Sequence, residues 1–435
     1  MCASGVGIVI VALRTVFSRM RIVTLFIPLL LLLAPRLVAQ EEDADARAAS
    51  TARGNAWHVC VDDNGHGDFF VVWSERGDDA TRLRACFLRR GQREHVQVFD
   101  ISDPGEGVED VRPSVAWLDE HSVLLAWQRN EESHRRVWLA RVDRDGEATE
   151  PGLLDDHPTN TMAPVLQRDA HGVLALWQDF RNGNFDVYCR RLDAQGLPRG
   201  EAWRVNDDST RALQGVPRAS RDNGDAVLAV WSDNRVDQAW KFYYTTIDAQ
   251  GVARNALLDS AQRKAMTTLA SAVWMSADSA MVFWKDYREG HSNIYRRLVS
   301  VRDGCLSPAR RINDDTGEQW QRLPVTDSDG RGHVLCCWED YRNAPGNQRG
   351  DVYAQVFARD GAPLGGNLRI NDREDRIARK VPALSMDVDG YALILWHQGE
   401  GGRFRIMGQW LRYPGERVGA NFCVSCGEEE EDDGG

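Results

Sequence analysis

The chain has 435 residues, 43% hydrophobic and 27% charged, with 38 Gly, 15 Pro and 15 Trp, a composition that suits many short strands and tight turns. Its formal net charge of −12 excludes nucleic acid or an anionic membrane surface as the principal partner, because both are held by basic patches. The basic residues are nearly all Arg, with Lys241, Lys264, Lys285 and Lys380 as the lysines.

In chain order, residues 1–39 come first. An apolar run over residues 25–35 follows Arg14, Arg19 and Arg21 and precedes Leu37-Val38-Ala39-Gln40, the pattern of a removable secretory signal, with Met20 as an alternative start. The run is broken by Pro28 and falls short of the roughly 20 apolar residues a membrane span needs. No membrane span is therefore expected once the signal is removed. Export makes the mature chain secreted, periplasmic or held at the cell surface. Its charge becomes −16, because the signal carries four Arg and no acid. Residues 40–50 read as a short acidic linker, and residues 427–435 as an acidic, unstructured tail.

Between them, residues 51–426 repeat. A tryptophan ends an apolar run at Trp73, Trp127, Trp177, Trp231, Trp284, Trp338 and Trp396, at intervals of 54, 50, 54, 53, 54 and 58 residues. A period of about 54 marks a propeller or solenoid. Within one unit, Pro164-Val165-Leu166-Gln167 predicts a first strand and Val173 to Trp177 a second. Asp186 to Leu192 predicts a third, and Ala202 to Asn206 a fourth, with Asp, Asn and Gly at each reversal. The second strand is apolar at consecutive positions, so both of its faces must be covered, as they are when blades stack around an axis. Proline at Pro113, Pro164, Pro217, Pro324 and Pro382 is expected to open the first strand, the edge that lines a central channel. The predicted fold is all-β, a seven-bladed β-propeller of four-stranded antiparallel blades.

Four units carry Trp-x-Asp-x-Arg after the second strand: Asp179 and Arg181, Asp233 and Arg235, Asp286 and Arg288, Asp340 and Arg342. With the following Asp-[Val/Ile]-Tyr and Arg-x-Asp-x-x-Gly, this phrase resembles the repeat of bacterial secreted β-propeller proteins. The resemblance is strong in the middle four units. The outer three depart from it at Glu75, Arg76, Arg129 and His397.

These Asp/Arg pairs are the candidate rim residues. A ring of them at a channel mouth suits a sugar, peptide or cation. A repeated pair is also what a repeated turn requires, with Asp bonding local N–H groups and Arg bridging to a neighbouring carboxylate. The architectural reading is preferred, since catalysis needs an asymmetric acid and base. No catalytic, cofactor-binding or metal-binding residue is assigned. Calcium is considered at Asp327-Ser-Asp329-Gly330 and Asp387-Val-Asp389-Gly390, but two acids make only part of its cage of six to eight ligands. Cys423 and Cys426 suggest a terminal disulfide or free thiols, and Cys336 and Cys337 fall inside a buried strand.

The expected function is an exported, non-catalytic binding or scaffold module, a monomer that docks an unidentified glycan, peptide or protein on one rim. The alternative is a sialidase-like glycan-active hydrolase, which would need acids and arginines unique to single blades to converge at the channel. A second alternative is a structural component of the cell surface.

Overall fold

The computed structural model describes residues 54–426, apart from 221–225, 253, 260–268, 301–303, 306, 345–348, 373–376 and 401–402. The expected signal, linker and acidic tail lie outside the described residues. Regular structure among the described residues is entirely β-strand.

The Trp177 unit shows how the sequence makes a blade. Its strands Thr161–Asp169, Gly172–Asp179, Asp186–Leu192 and Pro198–Arg204 lie side by side in chain order, each antiparallel to the next. Asp169 accepts the His171 N–H at 2.8 Å to close the first hairpin. Gly172 follows at φ +124°, where a side chain would also meet the Leu192 carbonyl. Every residue from Val173 to Trp177 is buried, which answers the unbroken apolar run.

The fourth strand starts earlier than the sequence pattern predicts, at Pro198, and its ladder to the third breaks between Cys189 and Arg191. In the Trp231 and Trp284 units it is split into pairs, Gly251–Val252 with Ala256–Leu257 and Gly304–Cys305 with Arg310–Arg311. This outer edge is largely exposed, so hydrophobic patterning constrains it least.

The Trp73 and Trp127 meanders are linked into one sheet by a single parallel pairing of Thr81 with Glu109. The Trp177, Trp231, Trp284, Trp338 and Trp396 units each form their own sheet. Successive first strands touch: Ala56–Asp63, Glu109–Asp119, Thr161–Asp169, Gln214–Ala219, Ala270–Trp274, Gln321–Ser328 and Ala378–Met386, and the last returns to the first. They form a closed ring around an axis, a β-propeller-like arrangement.

Each core lies between two blades rather than within one. Trp177 packs on Leu124, Ala126 and Leu139 of the preceding blade, and Trp73 packs on Leu393, Leu395 and Trp410 of the last. All of the repeat tryptophans are under 2% exposed. Truncating one such side chain to Ala costs about 3–5 kcal/mol. The ring closes without exchange of a strand, since the first and last blades each draw their strands from one continuous stretch. The seam is held by side chains: Asn55 accepts the Phe404 N–H at 2.5 Å, Ser385 donates to Asp63 at 2.7 Å, and Arg90 bonds Asp387 at 2.7 Å.

The prolines do not open the first strands, as the sequence pattern predicts. They sit inside them, beside breaks in register at Val111/Ser114, Gly215/Arg218, Arg322/Val325 and Lys380/Ala383. These are β-bulges, where a ladder N–H is not needed and proline is tolerated. The residue before the proline is left-handed at Arg112 (φ 54°), Ala163 (51°), Val216 (50°) and Leu323 (51°), and His58 (52°) takes the same place in the first blade.

Candidate functional site

The four Asp/Arg pairs are brought to one rim and used there between blades. Asp179 accepts the Trp177 indole N–H at 2.8 Å and the Arg181 backbone N–H at 2.8 Å. Arg181 returns two bonds to Asp179, at 3.0 and 2.7 Å, and reaches Asp155 of the preceding blade at 3.1 Å. Arg235 joins Asp233 to Asp207, Arg288 joins Asp286 to Asp259, and Arg342 joins Asp340 to Asp314 in the same way. The guanidinium groups also lie over Tyr188, Tyr243, Tyr295 and Tyr353 at 4.2 to 4.4 Å. Burial would lower the Arg181 pKa, but its bonds to Asp179 and Asp155 outweigh that and hold it above its ordinary value.

The departures in the outer blades rebuild that pattern only in part. Glu75 accepts the Trp73 indole N–H at 3.0 Å and pairs with Arg84 at 3.1 Å. Arg129 grips Asp110 with two bonds, at 2.7 and 2.8 Å. Arg76 reaches Thr81 at 3.4 Å.

The two turns considered for calcium are closed by their own chain. Asp387 accepts the Asp389 and Tyr391 N–H groups and meets Arg90, while Asp329 accepts the Arg331 N–H and pairs with His333. Among the described residues, no group of three His, Cys, Asp or Glu is arranged to hold a metal. Cys423 and Cys426 form a disulfide.

Asymmetry enters at a position the sequence reading did not single out, the residue after each tryptophan. It is Ser74, Gln128, Gln178, Ser232, Lys285, Glu339 and His397 in turn. Strand alternation turns each of these away from its tryptophan and toward the following blade. Gln128 accordingly accepts the Ala163 N–H at 3.2 Å, and His397 accepts the Val59 N–H at 3.4 Å. The ionisable members fall in three consecutive blades: Lys285 at 2% exposure, Glu339 at 2% and His397 at 6%.

Around Glu339 a distinct group gathers. The Tyr341 hydroxyl donates to its carboxylate at 3.2 Å. Arg322 stands opposite Glu339 in the ladder, with its guanidinium 5.4 Å from the Tyr341 ring centre and 4.6 Å from that of Trp320. Trp320 is 36% exposed, an aromatic face open at the rim. On the next blade, Arg379 is buried and bonds Gln398 at 3.0 Å. A side chain at Gly350 would meet both the Arg379 carbonyl and the Tyr341 ring at 3.2 Å, so glycine is what lets the two blades close there. A carboxylate bonded to a phenol, under a guanidinium and beside an exposed indole, has the parts for base-assisted attack on a bound sugar.

This group escaped the sequence reading because Tyr341 lies inside Trp338-Glu-Asp-Tyr-Arg342, where the repeated Asp and Arg draw the eye. The available signal was the variation just after tryptophan, in a column whose flanks repeat.

No protein-family model matches the sequence, and no curated protein matches it. Solved structures do. A variant of the NanB sialidase from Streptococcus pneumoniae is 7% identical over 82% of this chain and 68% of its own, with a TM-score of 0.45. The α-L-arabinofuranosidase from Fusarium graminearum is 10% identical over 84% and 95%, with a TM-score of 0.45. A prolyl endopeptidase is 12% identical with a TM-score of 0.50, and the chain spans 56% of its length. At these identities the likeness is one of fold.

The expectation of a non-catalytic binding or scaffold module is corrected on this point. Solved structures similar to this chain include glycoside hydrolases. The physical premise of that expectation also fails, since Glu339, Tyr341 and Arg322 are an asymmetric grouping confined to one blade.

Proposed function

We propose that this chain is an exported, seven-bladed propeller that hydrolyses glycans at the mouth of its channel, on the rim that carries the Asp/Arg turns. The column of repeat tryptophans supports the blade count, and the signal pattern of residues 1–39 supports export. The observation that carries the activity is the hydrogen bond from Tyr341 to Glu339, the residue after the blade's tryptophan, where the other blades carry Ser, Gln, Lys or His. Glu339 takes the proton of the Tyr341 phenol as its oxygen, a nucleophile used by some glycosidases in place of a second carboxylate, attacks the anomeric carbon. The glycosidic C–O bond breaks, the leaving oxygen takes a proton from water, and a second water hydrolyses the tyrosyl-linked sugar. Arg322 stabilises negative charge beside it, and Trp320 offers a stacking face for a sugar ring. Both Tyr341 and Glu339 are 2% exposed, so substrate reaches them by displacing Arg322 from the Tyr341 ring.

A panel of fluorogenic glycosides, including sialosides and arabinosides, tests this. Turnover of at least one substrate is expected, falling about a hundredfold or more in both Glu339→Gln and Tyr341→Phe while melting temperature holds. A folded protein with no turnover across the panel removes the reading.

A further inference from the structure

The chain uses one loop design twice. Residues 206–214 lead into the first strand of the Trp231 blade, and residues 313–321 lead into that of the Trp338 blade. Each loop places a Gln eight residues after an Asn, and in each the Asn side chain donates to the Gln side-chain oxygen at 3.3 Å. Each also carries an Asp two residues after the Asn. In the first copy that Asp is satisfied: one carboxylate oxygen of Asp208 accepts the Thr210 hydroxyl at 2.8 Å and the Gln214 amide at 3.2 Å. In the second copy Gly317 stands where Thr210 would be, Gln319 where Ala212 would be, and Trp320 where Leu213 would be.

The second copy leaves three buried polar atoms without a hydrogen bond among the described residues: Oδ2 of Asp315, Oε1 of Gln319 and Nε2 of Gln321. The Asp315 side chain is 7% exposed and Gln321 is fully buried. Asn313 Nδ2 holds the two together, bonding Asp315 Oδ1 at 2.6 Å and Gln321 Oε1 at 3.3 Å. A side chain at Gly317 would begin 3.8 Å from Asp315 Oδ2 and 3.9 Å from the Gln319 backbone nitrogen. Glycine thus leaves unfilled the room that Thr210 occupies in the first copy, and Gly317 itself is exposed.

Buried polar atoms are nearly always hydrogen-bonded, so three together mark a place for a partner. Two acceptors and one donor set its chemistry. The Asp315 carboxylate repels an anion, and a cation would find the Gln321 amide N–H among its ligands. Adjacent hydroxyls of a sugar, each able to donate and to accept, suit all three atoms. The loop also adjoins the Glu339 group, since Gln321 pairs with Asp340 in the ladder and Arg322 with Glu339.

We propose that loop 313–321 is a subsite for a neutral sugar unit, whose vicinal hydroxyls donate to Asp315 and Gln319 and accept from Gln321. One hydroxyl takes the place that the Thr210 hydroxyl holds in the first copy, entering past Gly317. Its bond to a carboxylate is the strongest of the set, so Asp315 carries most of the affinity. The inference rests on the hydrolytic reading in taking this sugar as part of the substrate, and adds that the unit bound here is uncharged.

Calorimetric titration of the folded protein with arabinotriose, xylotriose and maltotriose is the test, with trigalacturonate and calcium chloride as charged probes. Native and Glu339→Gln protein are titrated in parallel, so that hydrolysis is not read as binding. Saturable binding of at least one neutral trisaccharide is expected. Gly317→Thr restores the hydroxyl of the first copy, and should weaken that binding about tenfold or more while melting temperature holds or rises. Asp315→Asn should weaken it as far by a second route. No binding of a neutral probe, or binding indifferent to both substitutions, would overturn the proposal. So would calcium or trigalacturonate as the probe whose binding Gly317→Thr removes. Turnover with a KM that ignores Gly317→Thr would sink the subsite and leave hydrolysis. Binding lost in Gly317→Thr, with no turnover by the native chain, would sink hydrolysis and leave the subsite.

Discussion

Arg342 and Asp314 meet at 2.6 Å across the boundary between two blades, while the same guanidinium holds Asp340 at 2.9 Å and lies 4.2 Å from the Tyr353 ring centre. One side chain thus ties a turn, a core aromatic and a neighbouring blade. Its pKa would be lowered by burial but is held above its ordinary value by Asp340 and Asp314, and Asp314 in turn is held low.

Removing such a tie should cost more than a surface ion pair. Asp340 is 1% exposed and would be left unpaired by Arg342→Ala, with an expected loss of about 3–5 kcal/mol in urea unfolding. Arg342→Lys should recover only part of it, because an ammonium cannot serve two carboxylates and cover a ring at once.

Two tryptophans in equivalent positions should respond differently to the same change. The Trp177 indole N–H bonds Asp179 at 2.8 Å, while that of Trp127 has no partner among the described residues. Trp177→Phe should therefore destabilise the fold by about 1–3 kcal/mol more than Trp127→Phe, since it leaves a buried carboxylate oxygen short of a donor. Paired denaturation curves would check the difference.

Acid should weaken the fold from near pH 6.5 downward. The folded pKa of His397 is about 3 and that of His58 is also lowered, so the unfolded chain binds more protons in this window. The contribution of His397 is complete above about pH 6.5 and is lost as pH falls toward 3, at up to about 1.4 kcal/mol per pH unit, and His58 adds a loss of the same sign. The depressed carboxyls of Asp155 and Asp314 add a loss at the acid end, as pH falls through their folded values. His397→Asn should flatten the slope between pH 6.5 and 4.

Thiol reactivity should follow burial. Cys86, Cys189, Cys336 and Cys337 are buried, and burial raises each of their pKa values. Iodoacetamide at pH 8 should leave all four unmodified until the protein unfolds. Cys60 should label first as pH is raised toward its pKa of about 11, as peptide mapping by mass spectrometry would show.

Much of the architecture was legible in sequence because it rests on local rules repeated often. An indole that must be covered on both sides recurs at Trp177 and Trp231, and an Asp that caps its own turn recurs at Asp179 and Asp233. The prolines misled because Pro113 and Pro164 mark bulges, and a bulge depends on the partner strand's register rather than on the strand's own residues. The Glu339 group was hidden for the opposite reason. It is a single departure inside a repeat, and its Arg322 partner arrives through strand pairing. The contact of His397 with Val59 spans 338 residues and exists only once the ring has closed, beyond the reach of any local pattern.

That closure also sets an order of events during synthesis. Among the described residues no backbone ladder crosses the seam between Phe404 and Asn55, so the apolar face of Phe69, Val71 and Trp73 is covered only after the last blade has emerged. Until then a nascent chain carries an uncovered blade face at its leading end. A nonsense mutation before Leu393 would make that exposure permanent, with aggregation or proteolysis as the expected fate of the truncated product.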